Sequence, residues 1–154
     1  MNIFNDDFRD FIICLNENEV EYLLVGGYAV ILRGYSRSTG DMGIWVNKTL
    51  LNFEKLRRAN AQFGLPEAAV PKDDFFSSHI DVFSFGRPPF AIEIMTDLKG
   101  VNFDEAYAKA TVEVTDGIFV RVIHLSQLLQ AKKAAGRYKD LNDIENLPGE
   151  NRVD

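Results

Sequence analysis

Residues 22–46, YLLVGGYAVILRGYSRSTGDMGIWV, constrain the fold of this chain more than any other stretch. Tyr22-Leu23-Leu24-Val25 is a continuous apolar run of strand length, the pattern of a strand buried on both faces. Gly26-Gly27 makes a tight turn into a short helical pattern from Tyr28 to Leu32. Gly34 to Gly40 is polar and glycine-bounded, hence a loop. Asp41 to Val46 then alternates, with Met42, Ile44 and Val46 on one face and Asp41, Gly43 and Trp45 on the other. A strand, a turn, a helix, a loop and a second strand in so short a span require a sheet with helices packed against it.

The rest of the chain extends this layout. Phe4, Phe8, Phe11, Ile12 and Leu15 recur at helical spacing, with Asn5 or Asp6 as cap and an end near Asn18. Thr49 caps a long helix to about Phe63, closed by Gly64. Leu65 to Asp74, with two prolines, reads as a loop. His79–Phe85 and Phe90–Met95 are strands around a hairpin at Gly86-Arg87-Pro88-Pro89; in the second, Phe90, Ile92 and Ile94 share a face and Ala91, Glu93 and Met95 take the other. Asn102 and Glu105 form a capping-box-like start to a helix over Phe103–Ala110. Asp116-Gly117 is a two-residue hairpin signal between Thr111–Thr115 and Ile118–Ile123. Leu125–Ala135 is a helix closed by Gly136, and a last helix covers Lys139–Leu147. The expectation is one α/β domain over residues 1–147, a mixed sheet flanked by helices, with a polar tail over 148–154.

Composition narrows the function classes. At 154 residues the chain suits one core, and twelve Phe supply bulky material for it. A net charge of −6 argues against an extended DNA-tracking surface, while a few local Arg and Lys suffice for a nucleotide or an RNA end. No apolar run approaches the roughly 18 residues of a membrane span, and the start MNIFNDDF lacks the basic residues of a signal peptide. Cys14 has no internal disulfide partner. A cytoplasmic home without membrane contact is therefore expected, and Cys14 reads as a packing residue.

The chemistry-bearing residues are two carboxylates on strands. Asp41 and Glu93 each stand on the face opposite their strand's apolar stripe, and adjacent strands would bring them to one sheet edge. Carboxylates gathered in this way bind hard cations, chiefly Mg²⁺. Gly26-Gly27 opens a helix, where bare backbone admits a phosphate. Ser36, Arg37, Ser38 and Thr39 add hydroxyls and a guanidinium just before Asp41. Each piece alone is commonly structural; their order raises the chemical reading.

Val25-Gly26-Gly27, then Asp41-Met42-Gly43, then Ile92-Glu93-Ile94 resembles the nucleotidyltransferase superfamily with the DNA polymerase β-like fold. Its pattern is an apolar residue followed by Gly and Gly or Ser, then an Asp-x-Asp or Asp-x-Glu strand, then a third acid between apolar residues. Segments around GYAVILRGYSRSTGD, PPFAIEIMTDLKGVNFDEAY and KKAAGRYKDLNDIENL are similar to small bacterial AbiEii-type toxin nucleotidyltransferases, over most of residues 20–147. The resemblance implies a protein that uses Mg²⁺ (or Mn²⁺) and an NTP. It would transfer a nucleoside monophosphate to a hydroxyl of an RNA 3′ end, a protein or a small molecule, with a cognate antitoxin or toxin as partner. It implies that Gly26 and Gly27 hold the triphosphate, that Arg37, Ser38 and Thr39 border it, that Asp41 ligates metal, and that Glu93 ligates metal or acts as base. Lys132, Lys133, Arg137, Lys139 and Asp140 match the basic block that in relatives lies near the nucleotide, with Lys132 and Arg137 as nucleotide-binding residues.

Two departures stand out. The middle acid is replaced by Gly43, which vacates a metal-ligand position, and the third acid is Glu rather than Asp. Nothing in strand packing asks for glycine at 43. Either the natural site has degenerated or an original Asp has been replaced, so a binding protein without catalysis is the alternative function. Asp81 competes with Glu93 as third acid; the LKGVNFDEAY context favours Glu93. Trp45 and Tyr28 stand between bordering a base and packing, with packing favoured for Trp45. His79 and His124 lack ligand spacing, and Lys55, Arg57 and Arg58 read as a solvated helix face.

Overall fold

The computed structural model describes residues 2–148. The polar tail lies outside them from residue 149 onward. Along the chain run α1 (Asp6–Glu17), β1 (Tyr22–Val25), α2 (Gly26–Leu32), β2 (Met42–Val46), α3 (Leu50–Phe63), a 3₁₀ turn (Glu67–Ala69), α4 (Lys72–Phe76), β3 (Val82–Phe85), β4 (Ile92–Met95), α5 (Phe103–Lys109), β5 (Thr111–Thr115), β6 (Ile118–Val122), α6 (Leu125–Ala135) and α7 (Tyr138–Asn146). The strands form one mixed sheet in the order β3-β4-β2-β1-β6-β5. β1–β2, β3–β4 and β5–β6 are antiparallel; β2–β4 and β1–β6 are parallel. Among the described residues, no helix is long and apolar enough to cross a membrane.

Local chemistry explains the boundaries. Asn5 Oδ1 accepts from the Phe8 amide at 2.8 Å, so Asn5 is the cap of α1. Thr49 caps α3 through the Asn52 amide, and Gly64 ends that helix at φ +106°. Asp116 and Gly117 both take positive φ, 54° and 77°, as the tight β5–β6 turn requires. The Asp116 carboxylate also accepts from the Ile3 and Phe4 amides, which ties the N-terminal segment to this hairpin.

The expected alternation on β2 holds. Met42 and Ile44 pair with Ile92 and Ile94 on the core face, while Gly43 and Trp45 pair with Glu93 and Met95 on the other. Trp45 is buried and meets Phe103 of α5 edge-on, with ring centroids 5.0 Å apart. Tyr28 packs between Phe4 and Phe8. Both aromatics are therefore core residues. His124 caps α6, its Nδ1 accepting from the Ser126 amide, and His79 is exposed.

Several boundaries differ from the sequence reading. α2 begins at Gly26, so the glycines form its first turn rather than a separate one. Residues 65–74 contain helical turns, because Pro66 and Pro71 each stand just before a turn, where the missing amide costs nothing. Phe90 lies in the β3–β4 turn, 58% exposed, and does not share the Ile92 face. Asp41 precedes β2 instead of opening it: its Oδ1 takes the Ala91 amide at 2.8 Å. Asp81 is exposed, and Val82 rather than Asp81 shares the Glu93 face, which removes Asp81 from the site.

Candidate nucleotide site

A cavity of about 770 Å³ opens beside the C-terminal end of β1, the start of β2 and the face of β4 that carries Glu93. Gly26, Gly27, Arg37, Ser38, Thr39, Asp41, Gly43, Glu93, Lys132 and Arg137 all line it. Residues far apart in sequence meet here because β2 pairs in parallel with β4, which places Gly43 directly opposite Glu93, with Asp41 two residues before Gly43.

The two glycines differ in what requires them. Gly26 takes φ +67°, a left-handed conformation that glycine adopts at no steric cost, and a Cβ there would meet nothing within 4 Å. Gly27 lies against the 37–39 loop: a Cβ would overlap the Thr39 hydroxyl and stand 3.4 Å from Arg37 Nη1. Its bareness serves the loop first. The loop carries Arg37 and Thr39 onto the turn, and Arg37 Nη1 donates to the Ser38 carbonyl at 2.9 Å.

Opposite the carboxylates stands a chain of alternating charges. Arg37 grips Asp143 of α7 with two bonds, Nε to Oδ1 at 2.7 Å and Nη2 to Oδ2 at 2.9 Å. Lys132 Nζ of α6 lies 3.0 Å from Asp143 Oδ2 and 3.3 Å from Asp140 Oδ1. Arg137 Nε reaches Asp140 Oδ2 at 2.7 Å. The Asp140 and Asp143 side chains are 1% exposed, Lys132 is 9% exposed and Arg137 is 62% exposed, so the array runs from interior to cavity mouth. Burial pushes both aspartates up, but the bonds and charges of Arg137 and Lys132 on Asp140, and of Arg37 and Lys132 on Asp143, hold both below the ordinary value. The Asp140 hydrogen bond raises Arg137. The array itself holds three cations on two carboxylates, with Arg137 its most exposed member at the cavity mouth. Lys139 lines the cavity as well, whereas Lys133 is exposed and does not.

Two residues escaped the sequence reading. Asp143 is the hub of the array, signalled by its position one helical turn after Asp140 in KDLNDIEN. Met95 fills the space over Gly43: its terminal methyl is 2.9 Å from where a Cβ at 43 would lie. Glycine at 43 therefore has a packing partner, contrary to the expectation from strand composition.

Among the described residues, no group of three or more His, Cys, Asp or Glu side chains is arranged to hold a metal. Asp41 and Glu93 are two oxygen-bearing ligands that line the same cavity, and Asp41 commits only Oδ1 to Ala91. That donor set fits a Mg²⁺-like ion that takes its remaining ligands from phosphate and water.

Solved structures with this architecture share its strands and helices along most of the chain. A Thermotoga maritima protein assigned as a nucleotidyltransferase superposes with a TM-score of 0.62 at 18% identity, covering 90% of this chain and 88% of that one. The chain has the nucleotidyltransferase fold. The lincosamide antibiotic adenylyltransferase LnuA, solved with lincomycin, gives 0.58 at 13% identity over 95% and 97% of the two chains. An antigenic nucleotidyltransferase-like protein from Paracoccidioides brasiliensis gives 0.50 at 14% identity over 94% and 78%. No family model matches the sequence, and no curated protein is significantly similar to it.

Proposed function

We propose that this chain binds an NTP in the cavity and transfers its nucleoside monophosphate to an acceptor hydroxyl, releasing pyrophosphate, in a reaction that requires Mg²⁺ or Mn²⁺. One observation carries the reading: the Gly26-Gly27 turn, the Arg37–Lys132–Arg137 cation array and the carboxylates of Asp41 and Glu93 all face the same 770 Å³ space. Arg37, Lys132 and Arg137 hold the phosphates, with Ser38 and Thr39 at their border. Asp41 and Glu93 hold the cation, which when bound neutralises charge on the phosphates. Glu93 would also take the proton of the acceptor hydroxyl as its oxygen attacks the α-phosphorus in line with the departing pyrophosphate.

The acceptor is an RNA end, a protein hydroxyl or a small molecule. Val82, Leu98, Pro88 and Pro89 give the cavity an apolar side, and the acidic net charge disfavours a long nucleic acid, so a small molecule fits best. An adenylyltransferase of this fold with an antibiotic bound is in keeping with that choice. Membership of the AbiEii-type toxin class, with a cognate antitoxin or toxin, rests on the sequence resemblance, and a cytoplasmic home on the lone Cys14 and the lack of an apolar run of membrane length.

Incubation with labelled NTPs, Mg²⁺ and a cell extract tests the reading. The chain is expected to transfer label and Asp41→Ala to abolish transfer; no turnover by either sinks the enzyme. Gly43, with Met95 in the vacated space, favours a second reading: a nucleotide- or partner-binding protein without catalysis. Nucleotide binding without turnover, unrelieved in Gly43→Asp combined with Met95→Ala, selects it.

A further inference from the structure

Resting on the nucleotide-site reading above, we infer that the cavity takes a nucleotide with one divalent cation rather than two, and that Gly43, with the Met95 methyl lying over it, sets that number. In the sheet register Gly43 lies between Val25 of β1 and Glu93 of β4, two residues beyond Asp41. A side chain at 43 would emerge beside Glu93, into the cavity that Asp41 also lines. That space is filled from further along β4. Met95 stands opposite Trp45, yet its side chain leans back along the sheet until its methyl is 2.9 Å from the Cβ position of residue 43, with Val25 Cγ2 at 3.3 Å. The ground beside Gly43 is therefore hydrocarbon where a two-ion site needs oxygen.

Mg²⁺ keeps six oxygen ligands at about 2.0–2.1 Å and gives up water reluctantly. An ion seated over Gly43 has no bridging carboxylate and must expel the Met95 methyl. Asp41 and Glu93 remain available to a single ion that shares phosphate oxygens. Across the cavity stand Arg37, Lys132, Arg137 and Lys139, with Asp140 and Asp143 paired to the first three. Lys132 is flanked there by two carboxylates at 3.0 and 3.3 Å. The site thus divides the work of holding phosphate between one hard cation and a fixed array of side-chain cations.

Mn²⁺ binding counts the ions without needing turnover. The full chain is saturated with α,β-methylene analogues of ATP or GTP, and protein-bound Mn²⁺ is followed by paramagnetic resonance. Two ions about 3.5–4 Å apart give a spin-coupled spectrum, and one ion gives an isolated one. One uncoupled Mn²⁺ per bound nucleotide is expected. The Gly43→Asp, Met95→Ala double variant is expected to gain the second, coupled ion, while Met95→Ala alone, which adds no ligand, stays at one. Two ions in the unaltered chain, or one in a folded double variant, overturn the inference and leave the nucleotide reading intact. Failure to bind either analogue at any Mn²⁺ concentration overturns the nucleotide reading and this inference with it. The count in the unaltered chain is decisive even if the double variant does not fold.

Discussion

Asp143 should be the costliest single carboxylate to remove. Its side chain is 1% exposed and receives two bonds from Arg37 and one ion pair from Lys132. Removing one partner of a buried pair costs about 3–5 kcal/mol because the other charge is stranded. Two features reduce that here: Arg37 is 23% exposed and partly solvated, and Lys132 keeps Asp140 at 3.3 Å. The expected loss for Asp143→Ala is about 2–3 kcal/mol, or a Tm drop of roughly 4–12 °C for a chain of this size. Urea unfolding should show a lower midpoint with an unchanged slope. A double-mutant cycle with Arg37→Ala should return a clear coupling energy. The effect carries a pH signature. Asp143 sits below its ordinary value of 3.8 in the folded chain, so as pH falls the unfolded chain takes up the proton first. The stabilisation is complete above 3.8 and is lost as pH passes down through the folded value. A loss under about 1 kcal/mol, the range of an exposed pair, or a wild-type–mutant difference that persists unchanged in strong acid, would refute the assignment.

Three further outcomes follow from the geometry. Gly27→Ala forces a methyl into Thr39 and displaces the 37–39 loop; a stability loss of about 1–3 kcal/mol with weakened nucleotide binding is expected in melting and calorimetric titration. Asn52 is buried and makes three bonds, accepting from the Glu21 amide and donating to the Glu21 and Asn47 carbonyls. Asn52→Ala leaves the Glu21 amide and the Asn47 carbonyl without these partners, while the Glu21 carbonyl keeps the Asn47 amide, and should cost about 2–4 kcal/mol, read as a lower urea midpoint. Burial raises the Tyr22 phenol to about 12 against the effect of its Arg121 amide bond. The unfolded chain releases that proton near 10, so stability should decline as pH rises from 10 towards about 12, with the decline reduced in Tyr22→Phe.

Much of the fold was legible because its signals are local. Helix caps at Asn5, Thr49 and Asn102, the terminating Gly64 and Gly136, and the Asp116-Gly117 turn all act within a few residues of themselves. The alternation of Met42, Ile44 and Val46 places a face without knowledge of the neighbouring strand. Errors fell where a distant group intervened. Asp41 leaves the strand because Ala91, fifty positions on, offers its amide. The 65–74 stretch holds helical turns that Pro66 and Pro71 precede rather than interrupt, and Phe75 of the second turn packs on Phe53 of α3.

By itself the sequence determined the order of elements, the faces of the central strands and the set of residues able to do chemistry, from Gly26 through Arg37 and Asp41 to Glu93 and Lys132. Periodicity and capping are short-range effects, and a linear pattern carries them. Only the tertiary structure decided how those residues meet. The parallel β2–β4 register sets Gly43 against Glu93. The docking of α7 joins Arg37 to Asp143 across 106 residues. Met95 bends back to fill the space that glycine leaves. Those arrangements depend on packing between segments that are remote in sequence, and so they emerge only once the chain has folded.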